Sequence, residues 1–222
     1  MLERSRATRY GRRGVLVHLG VALAFGLIAG GPAAAAAKSP LIWAFGDSLA
    51  AGYGLPPNQG FTAQLQSALR RAGVPARVRN GGVAGDTAAQ ARARLRWGLR
   101  GMGEKPDLVI VELGANDMLR GLPVPQARRN LALILAELKR REIPVLLAGM
   151  RAAPNLGPDY GRAFEAMYPA LATAYRVPLY PFFMEGVAGQ RTLIQRDGLH
   201  PNARGVAEIV RRILPAVRRA LA

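Results

Sequence analysis

Ser48, Asp197 and His200 are the residues whose chemistry can be combined. A serine hydroxyl attacks a carbonyl when a general base takes its proton, and a third group must orient that base. The chain holds two histidines, His18 and His200, and only His200 lies beyond the N-terminal segment. Asp197 precedes it by three residues in Arg196-Asp197-Gly198-Leu199-His200-Pro201-Asn202. On a compact turn, that spacing lets the carboxylate reach Nδ1–H and leaves Nε2 for a serine. Beyond residue 37 there are three serines, Ser39, Ser48 and Ser67. Ser67 sits inside a helix-patterned stretch, whereas Ser48 directly follows an apolar run in Phe45-Gly46-Asp47-Ser48-Leu49. A strand-to-helix turn there exposes the side chain at a sheet edge, and Gly46 permits the tight turn. Two plainer readings compete: Asp47 and Ser48 as a helix cap, and His200 as a structural histidine.

Acyl transfer also needs donors aimed at the developing oxyanion. Gly85, in Gly82-Val83-Ala84-Gly85-Asp86-Thr87, offers a backbone N–H, and Asn116, in Gly114-Ala115-Asn116-Asp117, offers a side-chain amide. The Ser48 amide would be a third donor. Each is an ordinary turn residue by itself; their weight comes from following successive strands.

The elements that must position these residues alternate in type. Apolar runs at 41–45, 76–80, 107–113, 144–149 and 177–180 read as strands. Stretches with helical spacing fill 61–71, 87–98, 125–141, 160–175 and 203–221. The run Asp107-Leu-Val-Ile-Val-Glu-Leu113 is nearly continuous, as a central parallel strand covered on both faces would be. Strands separated by helices imply β-α-β crossovers and one three-layer α/β domain. In such sheets the site lies beyond the carboxyl ends of the strands, which is where Ser48, Gly85 and Asn116 fall.

The chain has 222 residues, enough for one ordinary domain. With no cysteine it excludes disulfides, thiolate metal sites and a cysteine nucleophile, and two histidines cannot supply an H-E-x-x-H zinc site. Residues 1–37 read as a secretory signal: five arginines, an apolar run from Val15 to Ile28, then Pro32 and Ala33–Ala37. Cleavage after Ala37 would leave residues 38–222 exported to the periplasm or medium; a retained membrane anchor is the alternative, and Arg12-Arg13 fits a twin-arginine route. The net charge is +17, with Arg and Lys together at 31. Arginine dominates, is spread along the chain and is scarcely interleaved with aromatics, which argues against nucleic acid as a partner and leaves transient contact with a membrane surface open.

The blocks Gly46-Asp47-Ser48-Leu49, Gly85-Asp86-Thr87, Gly114-Ala115-Asn116-Asp117 and Asp197-Gly198-Leu199-His200-Pro201 together resemble the SGNH hydrolases, the GDSL esterase superfamily. The longer strings from Phe45 to Gly54, Val111 to Asp117 and Pro181-Phe-Phe-Met-Glu185 are similar to its thioesterase I/arylesterase/lysophospholipase branch. The resemblance implies a five-stranded flavodoxin-like parallel sheet, no metal or cofactor, and a monomer. It implies Ser48 as nucleophile, His200 as base oriented by Asp197, and an oxyanion hole from Ser48, Gly85 and Asn116. Substrates implied are acyl or aryl esters, thioesters and lysophospholipids. The G-x-S-x-G elbow of ordinary α/β-hydrolases is absent.

Further expectations concern the neighbours. Asp47 reads as a turn or cap residue. Glu112, inside an apolar strand, should pair with an arginine or a backbone donor. Leu49, Met118, Leu119 and Leu122 are candidates to line the acyl site. Phe182, Phe183 and Met184 read as core packing, and the glycine-rich 96–105 segment has no clear role. Two rival functions stand beside the esterase: a carbohydrate O-acetylesterase, and a non-catalytic basic protein binding anionic membrane or cell-wall polymer.

Overall fold

The computed structural model describes residues 39–222. The signal reading of residues 1–37 lies outside them. Strand β1 (Leu41–Gly46) leads through a sharp turn into the short helix α1 (Ser48–Ala51) and then α2 (Phe61–Arg71). There follow β2 (Arg77–Asn80), α3 (Ala88–Arg100), β3 (Leu108–Glu112), the short α4 (Ala115–Leu119) and α5 (Val124–Arg140). Strand β4 (Val145–Ala148), α6 (Pro158–Tyr175), β5 (Leu179–Tyr180) and α7 (Ala203–Leu221) complete the chain.

The five strands form one sheet in the order β2-β1-β3-β4-β5, with every neighbouring pair parallel. This is the flavodoxin-like order, and its strand sequence reverses between β1 and β3. Strands β1, β3 and β4 are buried along their whole length, because helices cover both faces. Helices α2 and α7 pack together, and α5 packs on both α3 and α6. Helix α7 shows why it docks: Val206, Ile209, Val210, Ile213 and Val217 make one buried stripe, and Asn202 caps its first turn through Arg204 and Gly205 N–H. Among the described residues, no helix is long and apolar enough to cross a membrane.

Element limits differ from the sequence expectation in physically simple ways. The second strand begins at Arg77 and is polar, since it lies at the sheet edge. The third helix runs on through Gly98 to Arg100. Gly98 is no stop signal there: an added Cβ would come within 2.9 Å of the Trp43 ring, so the glycine admits a close approach. The last strand is only Leu179–Tyr180. The 96–105 segment covers the last turn of α3 and the connection into β3, where Arg96 reaches Glu137 and Arg77 reaches Glu104.

Candidate active site

The turn between β1 and α1 is built around Asp47. Its Oδ1 accepts the Leu49 N–H at 3.1 Å, capping a helix that starts at Ser48. The Ser48 N–H therefore sits in the first helical turn, where donors have no intrahelical partner. Gly46 is sterically required, because a Cβ there would lie 2.6 Å from the Glu112 carbonyl and carboxylate and 2.7 Å from the Ala50 Cβ. The capping expectation for Asp47 holds, and it places Ser48 Oγ at the switch point between β1 and β3.

His200 reaches that hydroxyl from the far end of the chain. Its Nε2 lies 2.9 Å from Ser48 Oγ, and its Nδ1 lies 2.7 Å from Asp197 Oδ2. The carboxylate can only accept, so the tautomer that satisfies both contacts carries its proton on Nδ1 and presents a bare Nε2 to the hydroxyl. Asp197 Oδ1 accepts the N–H groups of Leu199 and His200 at 2.9 and 3.0 Å. These donors, the Leu199 N–H first and the His200 ring second, pull the Asp197 carboxyl down to about 2. The turn is anchored by Gln195, whose Nε2 donates to the carbonyls of Tyr53 at 2.8 Å and Pro201 at 2.9 Å. Tyr53 also lies against the imidazole, with ring centroids 4.6 Å apart.

Asn116 stands in the first turn of α4, beside Ser48. Its Nδ2 donates to Asp47 Oδ2 and to the Asp86 carbonyl, both at 3.1 Å. Asp86 belongs to the loop after β2, so the amide is held between that loop and the nucleophile turn. Gly85, in the same loop, adopts φ +84°, a left-handed conformation that favours glycine. Its carbonyl accepts from Arg120 at 2.7 Å. Asp117, fully buried, accepts the Ala88 N–H at 2.8 Å and so ties α4 to the start of α3.

An apolar cavity of about 460 Å³ opens onto Ser48 and His200. Leu49, Met118 and Leu119 line it, with Met150, Phe182 and Met184. Phe182, only partly buried, thus corrects the expectation of core packing; Phe183 is core, edge-on to Phe61, and Met184 is buried in the core while also facing the cavity. Leu122 and Gly85 are not among the lining residues, and the Leu122 carbonyl instead accepts the Tyr160 hydroxyl at 3.0 Å. No residue of the 96–105 segment lines the cavity. Arg151 does, stacked on Phe182 with its guanidinium carbon 5.0 Å from the ring centre. A groove of comparable size, about 470 Å³, lies between α2 and α7 and contains Ser67, but no histidine or carboxylate lines it.

Glu112 meets the second of its two expected partners. It is fully buried and meets the Asp47 N–H at 3.4 Å, a backbone donor, but no arginine. Burial, reinforced by the Asp47 charge, pushes its carboxyl well above the usual range. Burial likewise pushes Asp47 up to about 6. The arginine at this end of the sheet is Arg94, which sequence reading missed. It pairs with Asp86, donates to the carbonyls of Gly46 and Gly81 at 2.9 Å each, and covers the Phe45 ring. Nothing in the spacing distinguishes it from its neighbours Arg92 and Arg96.

The chain is similar to known hydrolases. Residues 44–207 match the GDSL-like lipase/acylhydrolase family. The chain is 40% identical to "Esterase TesA" of Pseudomonas aeruginosa over 184 residues, covering 83% of this chain and 90% of that protein. It is 41% identical to "Thioesterase 1/protease 1/lysophospholipase L1" of Escherichia coli over 169 residues, covering 76% and 78% respectively. Among solved structures, AlinE4, an SGNH-hydrolase family esterase, superposes with a TM-score of 0.71 at 52% identity, covering 83% of this chain and 98% of that one.

Proposed function

The chain belongs to the GDSL-like lipase/acylhydrolase family and is a carboxylic ester hydrolase, and from that premise we propose that it works as an exported serine esterase through Ser48, His200 and Asp197. The observation that carries the reading is the unbroken chain Ser48 Oγ–His200 Nε2 and Nδ1–Asp197, at 2.9 and 2.7 Å, opening into an apolar cavity.

In this mechanism Ser48 Oγ bonds to the ester or thioester carbonyl carbon as its proton passes to His200 Nε2. The imidazolium formed is held by the ionised Asp197. The carbonyl oxygen becomes an oxyanion and is received by the N–H groups of Ser48 and Gly85 and by Asn116 Nδ2–H. Collapse breaks the bond to the leaving alcohol or thiol, which takes the proton from Nε2 and leaves an acyl-serine. Water then attacks the acyl carbon with His200 again as base, releasing the acid and restoring Ser48. Asn116 enters this cycle by turning one N–H from its resting acceptors toward the oxyanion.

The cavity volume and its lining of Leu49, Met118, Leu119, Met150, Phe182 and Met184 favour medium or longer acyl chains and aryl groups over acetyl. That distinguishes the thioesterase, arylesterase or lysophospholipase reading from a carbohydrate O-acetylesterase. Export rests on the charge and hydropathy pattern of residues 1–37. The non-catalytic basic protein is set aside by the family.

The test is labelling of the purified protein with a fluorophosphonate and mapping of the adduct by mass spectrometry. A stoichiometric adduct on Ser48, absent in Ser48→Ala together with ester turnover, is expected. Full turnover by Ser48→Ala or His200→Ala would overturn the assignment. Highest kcat/KM on acetyl esters would move the reading to the O-acetylesterase.

A further inference from the structure

Two carboxyl groups, Asp47 and Glu112, lie directly behind the nucleophile, and the mechanism above uses neither. Glu112 ends β3 and Asp47 follows the end of the adjacent parallel strand β1, with Gly46 in register with Glu112. Both are fully shielded, at 0% and 1% exposure. Glu112 Oε2 meets the Asp47 N–H, and its Oε1 has no partner. Among the described residues, no cation pairs with either carboxyl. Arg94 directs its donors to Asp86, Gly46 and Gly81. The other titratable groups facing the pair are His200 from the turn before α7, Asp86 from the loop after β2 and Tyr168 on α6, with Asp117 on α4 facing Tyr168. The Tyr168 hydroxyl donates to the Leu113 carbonyl rather than to a carboxylate.

Two buried carboxylates without a cation cannot both be ionised at low cost. Their environments separate them. Asp47 receives two donors, Leu49 N–H and Asn116 Nδ2–H, each at 3.1 Å, which favour its charged form. Glu112 has the long contact from the Asp47 N–H and a backbone bond from Ala50, touches the Asp47 carboxyl itself, and keeps an orphan oxygen in an apolar strand. The proton therefore belongs on Glu112 and the charge on Asp47.

We propose that Glu112 is a positioning residue that holds a proton at this pair, leaving one negative charge on Asp47 to fix the Leu49 amide and Asn116 beside Ser48. The role rests on the reading of Ser48 as nucleophile and Asn116 as an oxyanion donor. Glu112 itself touches no substrate. Loss of its proton would set two like charges across the ends of β1 and β3, the strands that carry the nucleophile and the donor. Transition-state stabilisation suffers first, so the change falls on kcat rather than KM.

Infrared spectroscopy of the full chain at pH 7 tests this, with Glu112→Gln as the partner sample. The protonated-carboxylic-acid C=O stretch is expected in the wild type, lost on strong alkalinisation and missing from Glu112→Gln. Absence of the band at pH 7, or its persistence in Glu112→Gln, overturns the proposal. Kinetics give the second arm. The ratio of kcat between wild type and Glu112→Gln should fall at least tenfold as pH rises through the loss of that band, with the KM ratio flat. A ratio constant with pH reduces Glu112 to packing. If Glu112→Gln does not fold, the alkaline titration of the wild-type band still decides. Should Ser48→Ala remain active, the catalytic reading fails while the infrared result stands, so the two failures are separable.

Discussion

Replacing Asn116 with alanine separates a catalytic donor from a structural one, because this amide holds its neighbours and is the side-chain donor of the proposed oxyanion hole. Its Nδ2 bonds Asp47 Oδ2 and the Asp86 carbonyl, each at 3.1 Å. Asp47 is fully buried, so the alanine variant leaves its carboxylate one donor short. A hydrogen bond to a charged group contributes about 1.5–3 kcal/mol. For a domain of this size that is a fall in Tm of about 3–12 °C. The catalytic loss is separate and larger: one oxyanion donor accounts for about 10²–10³ in kcat. The assay is kcat and KM on a p-nitrophenyl ester at 25 °C beside a thermal melt of the same sample. At that temperature the variant remains folded, so lost turnover is not lost protein. A lowered Tm with kcat within threefold of wild type would refute the oxyanion role and leave Asn116 a structural clamp. Asn116→Asp sharpens the test, since it sets a second carboxylate against Asp47. It should be less stable than Asn116→Ala at pH 8 and recover below about pH 6, where Asp47 takes up a proton.

Other outcomes follow from the same geometry. The Asp197 carboxyl is held at about 2, below its unfolded value of about 3.9. Its contribution to stability is thus complete above pH 4 and lost as pH falls through 2. The stability gap between wild type and Asp197→Asn, read by thermal melts from pH 7 down to 2, should close over that window; a gap constant with pH would contradict it. The same variant should lose 10²-fold or more in kcat at pH 8, from the wrong imidazole tautomer. Arg94→Ala removes a partly buried ion pair and two carbonyl clamps, with an expected cost of about 3 kcal/mol by urea denaturation. Arg94→Lys should recover little of it, because one ammonium cannot reproduce the fork to Asp86, Gly46 and Gly81; full recovery would reduce Arg94 to a point charge. Gly46→Ala must displace Glu112 or Ala50 and should cost about 1–3 kcal/mol, whereas a wild-type melt would show that the turn relaxes freely.

The site was legible where chemistry restricts the residue types. One histidine beyond residue 37, one serine at the end of a strand and an aspartate three residues before the histidine left few combinations. The sheet was legible because strands buried on both faces read as continuous apolar runs, 107–113 above all. What escaped were contacts set by three-dimensional packing. Arg94 looks like any arginine of a polar helix until α3 lies across the ends of β1 and β2. Phe182 and Met184 flank Phe183, and only the loop's path decides which side chains face the cavity. Glu112 was placed in a strand and given a backbone donor as one of two possible partners, but that its neighbour is another acid was not visible in the spacing.

The turn that carries Asp197 and His200 differs from the rest of the candidate site in one respect. Asp47 and Ser48 follow directly on β1, a strand buried end to end, whereas no residue from 191 to 200 is fully buried. That segment is fastened by few long-range bonds, chiefly those of Gln195 to Tyr53 and of His200 to Ser48. Regions with little buried apolar surface open at a fraction of the global unfolding free energy. The enzyme can therefore be switched off by peeling back this short stretch while its sheet stays intact, so loss of activity on warming and melting of the fold are two different events. An acyl group on Ser48 that fills the cavity against Ile194 and Leu199 would fasten the same stretch, making turnover itself a source of thermal protection.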